Sequence, residues 1–145
     1  MIRELKTSDK QEWEKLFKGY GDFYKAQIND EILSTVWNWL FDKNHVVNGL
    51  CYEIEGKIVG IAHYRTMPRP LKGKYIGFLD DLFVDPNFRG QKIGQKLIEA
   101  LKKMAKSNNW KVIRWITHSD NKAAKKLYDK IANNTGFDLY EIKGN

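Results

Sequence analysis

The sequence predicts a mixed α/β fold: a central mixed sheet flanked by about four helices. Three observations carry this reading. The apolar pattern runs strand, two helices, three strands, helix, strand, helix, strand, the order of a sheet with helices packed on it. Residues 78–97, FLDDLFVDPNFRGQKIGQKL, pass from a β-prone run through a glycine-bearing turn into an amphipathic helix. Finally, 145 residues with five Trp, seven Tyr and seven Phe suffice for a real core in one domain, residues 1–145. Such a chain is too aromatic to be disordered.

The elements follow in order. Residues 2–5 form a short first strand, and Thr7, Ser8 and Asp9 offer N-caps for a helix with the apolar stripe Trp13, Leu16, Phe17 and Tyr20. Gly19, Gly21 and Asp22 interrupt that stripe, and Tyr24 near the break is a candidate substrate contact or an ordinary loop residue. Residues 31–41 form a second helix with Ile32, Val36, Trp39 and Leu40 on one side, and Trp37 falls off that stripe. Residues 49–54 and 58–66 are strands joined by a turn at Glu55-Gly56-Lys57. A proline-bearing loop, 67–73, leads to the central strand, 74–84. Ile93, Leu97, Leu101 and Met104 recur on one face of the next helix. Residues 111–117 read as a strand. Ser119, Asp120 and Asn121 cap a last helix with Ala124, Leu127, Tyr128 and Ile131 on one face, and residues 137–142 read as a final strand.

Between the central strand and its helix lies Arg89-Gly90-Gln91-Lys92-Ile93-Gly94. Glycines let backbone approach a ligand closely, and the first helical amides point outward with no partner inside the helix. With two cationic side chains beside them, they make an anion site suited to a pyrophosphate. The turn is neither a Rossmann fingerprint nor a P-loop, since G-x-G-x-x-G and G-x-x-x-x-G-K-[ST] are both absent.

A net charge of +7 favours anionic partners, either nucleic acid or a nucleotide-like small molecule. The charge is spread along the chain, and no recognition motif accompanies it, so no nucleic-acid partner is expected. One cysteine excludes an internal disulfide, and His45, His63 and His118 are too scattered for a metal motif, so no metal is expected. No apolar run approaches the ~20 residues of a membrane span, and no signal peptide opens the chain. The expectation is a cytoplasmic protein with no membrane partner.

A second motif lies downstream. Asn121, Ala124, Leu127 and Tyr128 stand on a helix that follows a strand containing Trp115-Ile116-Thr117. Here the chain resembles the GNAT superfamily of acetyl-CoA-dependent N-acetyltransferases, with its [QR]-x-x-G-x-[GA] turn and later N-x-x-A-x-x-x-Y segment. Leu79-Asp80-Asp81-Leu82-Phe83-Val84 resembles the corresponding strand of the diamine and histone/polyamine branches. The resemblance implies a GNAT-like fold and acetyl-CoA as co-substrate. It implies that Leu82, Phe83 and Val84 hold the pantetheine and that Asn121 and Ala124 also bind the cofactor. The segment Arg89, Gly90, Gln91, Lys92, Ile93, Gly94 and Gln95 would hold the pyrophosphate. Tyr128 would protonate the departing thiolate. One position departs from the pattern: Lys92 stands where the motif usually has glycine. Because the resembled branches dimerise, a homodimer is expected, and an off-stripe Trp37 is compatible with an interface.

Acetyl transfer to an amine needs a proton for the thiolate, and Tyr, with an ordinary pKa of ~10, can supply one. Apart from the resemblance, Tyr128 reads as a core aromatic, since it shares a face with Ala124, Leu127 and Ile131. Asp80 and Asp81 interrupt an apolar strand, and alternation should bury one of them in part. A buried carboxylate needs a partner, either a structural cation or the ammonium group of a substrate. Asp80 is the candidate amine anchor or base, and Asp81 is either a substrate contact or structural. Trp115 lines the cleft or packs in the core. The leading reading is N-acetylation of a small-molecule primary amine, polyamine or amino-acid-like. Protein-lysine or N-terminal acetylation, a non-catalytic CoA-binding domain and a nucleic-acid-binding domain are the competing readings.

Overall fold

The computed structural model describes residues 1–144. Five strands, β1 (Ile2–Glu4), β2 (Val47–Ile54), β3 (Lys57–Arg69), β4 (Lys74–Val84) and β5 (Ile113–Trp115), lie side by side in sequence order. Neighbours from β1 to β4 are antiparallel, and β5 runs parallel to β4. The helices are α1 (Lys10–Phe23), α2 (Asp30–Phe41), α3 (Ile93–Ser107) and α4 (Lys122–Ile131). This mixed five-stranded sheet with four helices is the predicted fold class.

Alternation along the strands divides the core into two layers. Leu50, Ala62, Tyr64 and Leu79 face α3, where Ile93, Leu97, Ile98 and Leu101 complete one cluster. Cys51, Ile61 and Phe83 face the opposite side and pack under Trp13, Leu16 and Phe17 of α1 and Leu33 of α2. The β2–β3 hairpin turns through Glu55 (φ 50°) and Gly56 (φ 82°), both left-handed as its geometry demands.

Four local expectations are corrected. First, α1 does not stop at its glycines but continues to Phe23. Gly21 is required there because a side chain would meet the Ala26 carbonyl oxygen at 2.8 Å. Second, α2 is rotated relative to the expected stripe. Leu33, Val36, Trp37 and Leu40 face inward, and Trp37 packs on Trp13 at 5.0 Å between ring centroids. Trp39 is the exposed tryptophan, 40 % accessible, and its ring stacks on His45. Third, β3 runs on through Pro68, and β5 shrinks to three residues. Finally, residues 137–142 form no strand. Their apolar side chains are exposed, from Leu139 at 70 % to Ile142 at 96 %. A strand needs a partner ladder, and the tail has none among the described residues.

Candidate active site

The site begins where β5 ends. β5 pairs only with Gly77, Phe78 and Leu79 of β4. Beyond Leu79 the central strand continues to Val84 with no ladder on that side among the described residues. A cavity of about 520 Å³ opens at this divergence. Its walls include Leu82, Phe83 and Val84 from β4, and the segment from Phe88 to Gln95 apart from Gln91. Asn121, Ala124, Leu127 and Tyr128 of the α4 region and Tyr20, Phe23 and Tyr24 of α1 and its C-cap close it. Of the expected cofactor residues, all but Gln91 line this one space.

The turn before α3 is built to leave amides free. Gly90 has φ 84°, and a side chain added there would meet nothing within 4 Å. Lys92 is the N-cap of α3 at φ 61°, ψ 24°, the left-handed region that a glycine would occupy without cost. Lysine therefore keeps the backbone shape that the usual glycine serves. No side chain caps α3, so its first amides are not claimed from within the chain. Gly94 lies beside Leu82 and Val84, at 3.8 and 3.9 Å from where its side chain would begin. Such a bare turn beside a roomy cleft fits a diphosphate with an extended arm. The Arg89 guanidinium rests on the Phe83 ring at 5.3 Å, and its Nε donates to the Val84 carbonyl over 3.3 Å.

Asn121 caps α4: its side-chain oxygen accepts from the Ala124 amide at 3.4 Å, and its Nδ2 donates to Thr117 Oγ1 at 3.3 Å. The cap sets the helix that carries Tyr128. Burial, then the neighbouring Tyr24, pushes the Tyr128 hydroxyl up to about 12, so it stays protonated at neutral pH. Trp115 sits behind Tyr128, edge to face at 5.3 Å, and supports the ring rather than lining the cavity.

The acidic pair departs from simple alternation. In the β3–β4 ladder, His63 pairs with Asp81 and Tyr64 with Leu79, which leaves Asp80 as the extra residue of a bulge. Leu79 and Leu82 both face α3 as a result, while Asp80 and Asp81 both reach side chains of β3 on the α1 face. Asp80 accepts from Arg65 Nε at 3.1 and 3.2 Å, so its partner is a structural cation. Burial raises the Asp80 carboxyl even so, with Arg65 opposing. Asp81 accepts from His63 Nδ1 at 2.8 Å. Neither carboxylate is among the cavity walls, but Tyr20, which is a wall, lies against Asp81 and is raised by burial and then by that charge. Sequence patterning did not bring Tyr20 to the site, because it reads as part of an ordinary apolar stripe. Leu127 likewise reads as part of the apolar face of α4, while Phe23 and Phe88 fall outside the predicted stripes and motifs.

Comparison with known proteins agrees with this geometry. Residues 13–132 match the model of the acetyltransferase (GNAT) family. The chain is 28 % identical over 146 residues to the D-amino-acid N-acetyltransferase HPA3 of Saccharomyces cerevisiae, covering 99 % of this chain and 91 % of that protein. It is 31 % identical over 141 residues to the N-acetyltransferase YhfO of Bacillus subtilis, covering 96 % of this chain and 94 % of the other. In fold it resembles the aminoglycoside N-acetyltransferase AAC(6')-Iy solved with CoA, with a TM-score of 0.84 at 17 % identity over 99 % of this chain and 93 % of that one. The chain therefore belongs to the GNAT family of acetyltransferases and is an acetyl-CoA-dependent N-acetyltransferase.

Proposed function

We propose that the protein acetylates the primary amine of a small molecule, amino-acid-like or polyamine, in the cytoplasm and as a homodimer. The carrying observation is the single cavity that joins the phosphate-type turn, the free stretch of β4 and the Tyr128 hydroxyl. An amino-acid-like acceptor is supported by the full-length similarity to a D-amino-acid N-acetyltransferase. A polyamine acceptor rests on the Leu79–Val84 and Trp115–Tyr128 motifs alone.

Acetyl-CoA supplies an activated acetyl thioester when bound. The Gly90–Gln95 turn holds its diphosphate with backbone amides, and Lys92 adds a cation beside them. Leu82 and Val84 offer backbone groups to the pantetheine amides, with Asn121 and Ala124 opposite. The acceptor enters from the α1 side, past Tyr20 and Tyr24. Its ammonium sheds one proton before attack. As the new C–N bond forms and the C–S bond breaks, the Tyr128 O–H donates to sulfur. The second amine proton restores the tyrosine, and one proton is released per turnover. For the ammonium we favour the acidic pair on β4, with Asp81 ahead of Asp80, because Arg65 already balances Asp80. Trp115 acts from behind, through Tyr128.

The test is steady-state CoA release with acetyl-CoA and a panel of D- and L-amino acids, polyamines, aminoglycosides and a lysine peptide. Saturable release with a small amine is the expected result. Release with the peptide alone would overturn the small-molecule reading.

A further inference from the structure

His63 is the one almost fully buried histidine, 1 % exposed, in the middle of β3. Both ring nitrogens are committed. The indole Nε1–H of Trp13 donates to Nε2 over 2.9 Å. An indole nitrogen only donates, so Nε2 carries no proton, and the ring proton is on Nδ1. That Nδ1–H donates to Asp81 Oδ2 over 2.8 Å. Phe17 stands edge-on to the imidazole at 4.9 Å, which holds its plane. The two consecutive carboxylates of the bulge therefore differ in kind. Asp80 faces a guanidinium, and Asp81 faces a ring that brings no counter-charge. Asp81 is also partly open, with its side chain 24 % accessible, and lies against Tyr20 at the cavity wall. Tyr20 in turn meets Tyr24 at 4.9 Å between ring centroids.

We propose that Trp13 and His63 are positioning residues for the acceptor: the indole fixes the imidazole tautomer, and the imidazole aims Asp81 at an ammonium group held at the Tyr20–Tyr24 end of the cavity. This rests on the N-acetyltransferase reading. It names the acceptor's form as a cationic primary ammonium, met by one carboxylate and two aromatic faces. A ring held by two hydrogen bonds cannot drift, so the carboxylate keeps a fixed direction without losing its charge to a cation. The groups against the imidazole are Trp13 and Phe17 from α1 and Asp81 from β4, with Tyr20 next to Asp81 and with Asp80 and Arg65 beyond.

The decisive experiment is a double-mutant cycle with spermidine and D-phenylalanine as probe amines. His63→Leu is expected to lower kcat/KM for the amine by about tenfold or more, the cost of leaving a hydrogen-bonded charge without its partner, while KM for acetyl-CoA holds. His63→Asn keeps an amide donor near the Nδ1 position and should recover part of the loss. In an Asp81→Asn background, His63→Leu should cost less than about twofold, because its route to the amine is already gone. Losses that simply multiply would overturn the inference and leave the histidine structural. Should His63→Leu fail to fold, long-range proton–nitrogen NMR of the wild-type imidazole decides. It should show Nδ1 protonated, Nε2 bare, and an Nδ1 signal that moves as the active amine saturates. An Nδ1 signal indifferent to amine would overturn the proposal. Absence of CoA release with every small amine of the panel would overturn the acceptor reading and this inference together, whereas an active wild type with a multiplicative cycle would overturn this inference alone.

Discussion

Tyr128 shows how two roles can share one residue. Its ring packs on Trp115 and against the α3-side core, and the residue also lines the cavity. Tyr128→Phe keeps the ring and removes only the proton donor. We expect kcat to fall by about 10²-fold, the range of general acid catalysis, with acetyl-CoA affinity and melting temperature little changed. Single-turnover kinetics would check this, and near-normal chemistry would return Tyr128 to the core alone. The motif named the residue; a tyrosine is protonated at neutral pH in any case, and burial, then Tyr24, pushes this hydroxyl further up to about 12.

At the scale of elements, the turn before α3 carries a second prediction. Lys92 holds a left-handed conformation that costs a side-chain-bearing residue about 1–2 kcal/mol. Lys92→Gly removes that cost but adds about 0.5–1 kcal/mol of unfolded-chain entropy. The melting temperature should stay level or rise slightly. The cation beside the diphosphate is lost, so KM for acetyl-CoA should rise, and more so at low salt. A large drop in melting temperature would show instead that the Lys92 side chain is part of the fold. The β1–α1 joint yields a third prediction. The Arg3 guanidinium grips Asp9 at 2.8 and 2.9 Å and Glu53 at 2.9 Å, tying the first strand to the start of α1 and to β2. Arg3 holds the Asp9 carboxyl below its ordinary value, against the opposing effect of burial. A lowered carboxyl stabilises the fold above its unfolded pKa, and that contribution fades as pH falls below about 4. Asp9→Asn should therefore lower the melting temperature at pH 7, and the gap to wild type should narrow below pH about 4. A gap constant with pH would sink this account.

For the whole molecule, the prediction about association centres on the tail. Phe137, Leu139, Tyr140 and Ile142 are mostly exposed, and Ile116 and Val112 flank the short β5 beside an incomplete sheet edge. Exposed apolar surface of this kind suits a partner. Trp37 is no part of it, since that ring is packed in the core. We expect a dimer by light scattering at micromolar concentration, and a shift toward monomer when Phe137, Leu139 and Ile142 are changed to Ser. A monomeric wild type would count against the homodimer.

Much of this protein was legible in the chain itself. The helix period of α3, the bounds of β4 and the glycine turn between them depend on neighbours along the sequence, so local pattern is enough. The Asn121 cap and its Tyr128 partner were readable because their spacing is set within one helix. What pattern misjudged depended on contacts between distant segments. The rotation of α2 was set by Trp13, which drew Trp37 inward and left Trp39 outside. The tail lacked a strand to pair with, and no local propensity supplies one. Most consequential is the bulge at Asp80, a register slip between β3 and β4 that no single strand encodes. It turned two adjacent carboxylates to one face and handed Asp80 to Arg65 and Asp81 to His63. The residue types were in the sequence, but which carboxylate keeps a charge to offer was decided by the pairing of the sheet.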